Sequence, residues 1–303
     1  MHLGNGIICP VTGIPMLVIV GVTAFYAYKN VKKDFSKDKI SLAVTLTGLV
    51  FALQMINFAI PTTGSSGHIV GGILLAALLG PYAAFLAMCA ILIVQAVFFA
   101  DGGLLALGCN IFNMGILACF IAYPLIYKPL EKVNKPVLAS ILASVAALQI
   151  GAFAVVIESV LSNSISLSNL ANFAGLMQTI HLPIGFVEGA VTGLIVILAK
   201  RIDAKKLSYS FGIFSIIFAA IISQYASQKP DGLEWSLLNM SDKFVAQTQW
   251  QLFNIAETIQ AKTAILTQIP QTAANITGLL FVMVSMLFVC SIISRKMVKE
   301  NAE

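Results

Sequence analysis

A histidine in second position offers a specific chemistry. In Met1-His2, the α-amine, the deprotonated His2 backbone amide and the His2 ring can close fused five- and six-membered chelate rings around one metal ion. Three nitrogens in one plane leave a fourth equatorial position for another histidine. The chain has three histidines, His2, His68 and His181. His68 ends the run Thr63-Gly64-Ser65-Ser66-Gly67-His68 and opens an apolar segment, so it is the candidate for that fourth position. Planar nitrogen coordination suits Ni(II) or Cu(II), with Co(II) also open. Such binding depends on pH, because the amide must lose its proton. The bulk of His2 discourages removal of Met1, so the amine belongs to Met1. The plainer alternative is that both histidines are structural, one near a terminus and one at a helix start.

Other polar residues are weaker candidates. Asp101, in the turn Asp101-Gly102-Gly103, and Asn5, Ser65 and Ser66 are placed to hold a metal-bound residue in position; a turn or a helix cap is the plainer reading of Asp101. Asn110 and Asn113 are three apart on one helix face, where polar side chains commonly bind helices together. His181 and Glu188 are seven apart, also on one face, and Glu158 lies in the preceding apolar run. Ionisable residues at membrane depth are candidates for function, and a structural His–Glu pair is the alternative. Asp231 to Trp235 reads as a capping turn with an interfacial tryptophan. No P-loop, HExxH or nucleophile elbow is present, so ATP hydrolysis, if used, belongs to another chain. No cofactor is expected.

These residues need elements to carry them. The 303-residue chain is 58% hydrophobic and 10% charged, with mean hydropathy +0.92, whereas soluble domains carry about 25% charged residues. Several long apolar runs then mean a multi-pass membrane protein. Fifteen of the 18 Lys and Arg fall in four clusters, Lys29 to Lys39, Lys128 to Lys135, Lys200 to Lys206 and Arg295 to Lys299. That is positive-inside patterning, not a nucleic-acid surface. It puts the N-terminus outside and the C-terminus in the cytoplasm. With no basic stretch before the first apolar run, no signal peptide is expected. The five cysteines lack CxxC spacing and read as core residues.

The expected fold is all-α: a core of about seven spans over 1–202, then a second module over 208–303 with two spans and an external loop. Span two is expected to run from Ile40 to Ile60, followed by a flexible loop Thr62 to Gly67. The third span, from His68 to Gly80-Pro81, has 12 to 14 residues. That is short for a hydrocarbon core of ~30 Å and is the kind of interrupted element that surrounds a buried site. Ser241 to Thr267 has the pattern of an amphipathic helix on the membrane surface.

Four ordered blocks over about 1–200 resemble the substrate-specific M component of cobalt/nickel energy-coupling-factor transporters. They are Met1-His2, Thr63 to Pro81 with Gly71-Gly72, Asp101 to Met114, and His181-Leu182-Pro183-Ile184-Gly185 to Glu188-Gly189. The segment from about 208 to 303, with Pro230-Asp231-Gly232-Leu233-Glu234-Trp235, is similar to the small N component of the same systems. The resemblance implies Ni(II) or Co(II) bound through the Met1 amine, His2 and His68. It also implies a transmembrane coupling subunit and cytoplasmic ATPases as partners, in a prokaryotic cell membrane. This chain has Leu3-Gly4-Asn5-Gly6 where many members carry an acidic residue. A stand-alone divalent-cation permease or channel using Glu158, His181 and Glu188 is the alternative function; a membrane enzyme lacks a credible nucleophile and base.

Overall fold

The computed structural model describes residues 2–31 and 37–300, with side chains described for 2–31 and 39–294. Part of the first basic cluster and the last three residues lie outside these. Six helices among the described residues are long and apolar enough to cross a membrane. They are α1 (Pro10–Asn30), α4 (Pro81–Phe98), the rod Leu107–Lys132, α7 (Pro136–Leu161), α8 (Leu170–Ala199) with its leading turn, and α12 (Gln271–Glu300) over its first 24 residues. In the rod, α5 (Leu107–Ile111) widens into a π-helical stretch (Phe112–Tyr127) that runs into α6 (Lys128–Lys132). Shorter helices α2 (Lys37–Gln54) and α9 (Ala204–Ala220) join the bundle. The protein is an all-α multi-pass membrane protein, and all five cysteines are free and buried.

Close packing of α7 on α8 has a sequence cause. Gly185, Gly189 and Gly193 recur every fourth residue along α8, and a Cβ on Gly189 would lie 2.4 Å from the Ile141 Cα. Small residues at this spacing let helix backbones approach closely. The C-terminal helices α9 and α12 both pack on α2.

Two segments differ from expectation. The second span does not run to Ile60: α2 ends at Gln54. Beyond it, β1 (Phe58–Ala59) pairs antiparallel with β2 (Ser66–Gly67), Phe58 opposite Gly67. The Thr62–Gly67 loop is therefore tied rather than flexible. Positive φ at Thr62 and Gly64 turns the chain, and Ile60 N–H donates to the Ser65 carbonyl at 2.9 Å. The third span is shorter still than expected, with α3 covering only Gly72–Leu79. Residues 68–71 stay outside the helix, because Gly71 sits in the left-handed region at φ 78° and the Glu188 carboxylate accepts the Val70 and Gly71 N–H groups at 2.8 and 3.2 Å. A carboxylate at a helix N-terminus satisfies donors that the helix cannot.

The C-terminal segment also contributes α10 (Gly232–Asn239) and α11 (Gln251–Thr263). A capping box starts α10: Asp231 accepts from the Glu234 N–H, and Glu234 accepts from the Asp231 N–H. Of Ser241 to Thr267, expected as an amphipathic helix, residues 241–250 are not helical, and the amphipathic part is α11. It buries Ala256 and Gln260 and leaves Leu252, Ile255 and Ile259 exposed.

Candidate metal centre

The opening segment is held by Asn110. Its side chain accepts from the Leu3 N–H at 2.8 Å and donates to the Leu3 carbonyl at 3.1 Å, and the Gly103 N–H donates to that carbonyl at 2.8 Å. Asn110 thus binds the chain end rather than a neighbouring helix, while Asn113 donates to Glu158 at 2.7 Å. Fixing Leu3 fixes His2. The His2 and His68 rings then lie parallel, centroids 5.2 Å apart with 3° between planes. Met1, the third member of the expected clamp, lies outside the described residues.

Asp101 reaches His2: Nδ1 and Oδ1 are 3.1 Å apart. With Nδ1 so engaged, Nε2 is the other ring nitrogen, and it is buried with no hydrogen-bond partner. His68 is buried, and burial, reinforced by His2, holds its pKa down to about 3. It is therefore neutral, as a metal-ligating imidazole must be. Burial works to raise the Asp101 carboxyl, but the charge of His2 and the hydrogen bond from it outweigh this and keep it below the usual range.

The remaining candidates tie loops together. Ser66 donates its N–H to the Pro230 carbonyl at 2.8 Å and its hydroxyl to the Lys229 carbonyl at 2.7 Å. The Ser65 hydroxyl donates to the Ser66 carbonyl at 3.2 Å. Asn5 donates to Gln260 of α11 at 2.5 Å, and Gln260 donates to the Ala96 and Gly102 carbonyls. Trp235 donates its indole N–H to the Thr63 carbonyl at 2.9 Å.

These contacts bring in residues that sequence reasoning left out. The turn at Pro230–Glu234 is docked over the centre, with Asp231 and Glu234 in the wall of a cavity of about 190 Å³ that His2, His68, Asp101 and Gln54 also line. At Asp231, burial is outweighed by nearby positive charge and the Glu234 N–H, so its carboxyl is held well below the usual range. Gly232 rests on His181: a Cβ there would lie 2.9 Å from the ring. Asp231 and Glu234 did carry a signal, the capping-box spacing, but it marks a helix start and not where that helix docks.

Among the described residues, no three His, Cys, Asp or Glu side chains are close enough to hold one ion. Two imidazoles with flanking carboxylates, inside a bundle of membrane-length helices, are the parts of a metal-transport component. The chain belongs to the family described as the cobalt uptake substrate-specific transmembrane region, whose profile matches residues 2–205; residues 205–295 match the PDGLE domain. A putative fused nickel transport protein, NikMN, from Archaeoglobus fulgidus is 33% identical over 227 residues, 74% of each chain. The cobalt transport protein CbiM of Acetohalobium arabaticum is 32% identical over 207 residues, covering 64% of this chain and 80% of that one. A crystallographically solved truncated transition metal transporter superposes with TM-score 0.59 at 31% identity, over 66% of this chain and 99% of that chain.

Proposed function

We propose that this chain is the substrate-binding membrane subunit of an ATP-driven energy-coupling-factor importer for Ni(II) or Co(II). It takes the ion at the outer face through the Met1 amine, the His2 amide and ring, and His68. Its partners are a transmembrane coupling subunit and cytoplasmic ATPases, in a prokaryotic cell membrane. The observation that carries this reading is the buried, unpartnered Nε2 of His2 on a ring stacked against His68: two imidazoles meet at one cavity, one with a nitrogen that nothing satisfies.

The fused chelate closes only through Nδ1, the nitrogen that Asp101 engages at 3.1 Å. Loading therefore turns the His2 ring over about Cβ–Cγ, giving Nδ1 to the ion and Nε2–H to the carboxylate. Asp101 then orients the ring in both states, as outer-shell carboxylates do at metal sites. The permease alternative needs protons to pass among Glu158, His181 and Glu188. These accept from Asn113, bond the Met177 carbonyl and accept from Val70 and Gly71, respectively, so each is engaged with a different partner.

The test is nickel titration of purified, untagged protein whose N-terminal residue is established by mass spectrometry, beside a version extended by one residue. The extended protein should not bind, because it lacks the amine in chelate register. Unchanged affinity after extension overturns the clamp.

A further inference from the structure

Glu158 is a buried carboxyl with an unmet hydrogen bond. It lies in the last turn of α7 and is 5% exposed. Its Oε2 accepts from Asn113 Nδ2 at 2.7 Å. Its Oε1 has no partner, and neither has Oδ1 of the same asparagine. Two acceptors are thus left over on two side chains that already touch. Both atoms are wholly enclosed, so no water has room beside either. The opposite orientation of the amide gives no relief. It would set Oδ1 against Oε2 at 2.7 Å, a contact that itself needs a proton between the oxygens. Nor is a counter-charge at hand. No cation among the described residues pairs with Glu158, and the titratable side chain beside it is the Cys109 thiol. A buried carboxylate without a paired charge is far costlier than a neutral carboxyl.

What fits between two enclosed acceptors is a proton. We propose that Glu158 and Asn113 form a proton-binding site: one proton resides on Oε1 and is donated to Asn113 Oδ1, closing with the existing bond a neutral acid–amide ring. The place of the ring gives it a use. Asn113 lies at the start of the π-helical stretch, three residues after Asn110, which grips Leu3. Just past α7, the Ser164 hydroxyl donates to the Ile7 carbonyl. The proton therefore fastens together the two helices whose ends hold the opening segment. It does so without a net charge that would draw a cation into the bundle. The proposal goes beyond the function proposed above and does not depend on it.

Infrared spectroscopy of full-length, untagged protein in nanodiscs at neutral pH tests this, with Glu158→Gln as the comparison. The side-chain amide of that variant can make both bonds of the ring, so the protein should fold. The parent-minus-variant spectrum should show one protonated-carboxyl C=O band and no ionised-carboxylate band. Glu257→Gln, at an exposed carboxylate on α11, should show the reverse, a lost carboxylate band alone. Asn113→Leu keeps the proton but removes its acceptor, and should move the carboxyl band to higher wavenumber. A carboxylate band lost in Glu158→Gln overturns the proposal, and that difference decides even if Asn113→Leu fails to fold. A carboxyl band that folded Asn113→Leu leaves in place overturns it too. So does failure of Glu158→Gln to fold, because a neutral side chain of the same shape would then not replace the group. These readouts need no metal. Parental protein that binds no nickel would overturn the proposed function and leave the proton site standing.

Discussion

His2, His68, Asp101 and Asp231 share one cavity, whereas Glu158, His181 and Glu188 sit inside α7 and α8 with a separate partner each. By residue type the two sets look alike, and burial does not separate them, since His68, Glu158, His181 and Glu188 are all buried. What separates them is satisfaction. A buried polar group without a partner costs ~1–3 kcal/mol, and a protein keeps such a defect where a ligand removes it. His2 Nε2 is a defect of that kind on the cavity side. On the helix side, Glu188 has both carboxylate oxygens filled by backbone N–H groups. Glu158 is intermediate, with Oε2 accepting from Asn113 and Oε1 without a partner.

The sharpest way to break this division is to treat one member of each set alike. His68→Ala removes a nitrogen ligand and, of the ring's hydrogen bonds, only a long 3.4 Å contact with the Ile69 carbonyl. Nickel affinity should fall by at least about 100-fold, beyond the loss typical of outer-shell changes, with the thermal unfolding of the metal-free protein hardly moved. An affinity change below about threefold would place His68 with the scaffold residues.

Glu188→Gln should do the reverse. A carboxamide accepts only through oxygen, so one of the Val70 and Gly71 N–H groups is left buried and unpaired. The metal-free protein should lose about 1–3 kcal/mol, read as a lower unfolding midpoint. Because residues 68–71 then move, affinity should fall about tenfold, roughly the same energy expressed in binding. Lost affinity at full stability would instead make Glu188 part of the ion's path.

The division was only partly legible in the sequence. Apolar runs, basic clusters and the short glycine-rich third span gave the membrane fold, because each is a local pattern with a known period or length. The pairing of His2 with His68 followed from topology, since the charge clusters put both at one end. Three things stayed hidden. Asn110 read as a helix contact, because nothing in a helical run shows that its amide grips Leu3, 107 positions away. The strand pair after α2 is two residues on each side, too short for alternation to register. Asp231 and Glu234 reach the site because Ser66 takes hold of the backbone at Lys229 and Pro230, and contacts across 163 and 164 positions leave no local trace. The segment after His2, Leu3-Gly4-Asn5-Gly6, carries no acidic residue. The fold supplies carboxylates from Asp101 and from the other domain.

His181 is where the comparison can be made sharpest with the smallest expected effect. It is near the site in every coarse sense: buried, in contact with Gly232, and in the same wall as His68 and Asp231. The gap it shares with those two is about 10 Å³, at or below the room one water needs. Its Nδ1 is 2.7 Å from the Met177 carbonyl, which leaves the ring packed as a seat under the PDGLE turn. Proximity thus argues for a ligand, and satisfaction argues for scaffold. His181→Ala removes the seat but no ligand, and the turn stays anchored through Ser66 and Trp235. Equilibrium nickel affinity by calorimetry should change by less than about threefold, under 1 kcal/mol. A loss of tenfold or more would move His181 into the metal set and show that closeness to the cavity, rather than an unmet hydrogen bond, marks the residues that handle the ion.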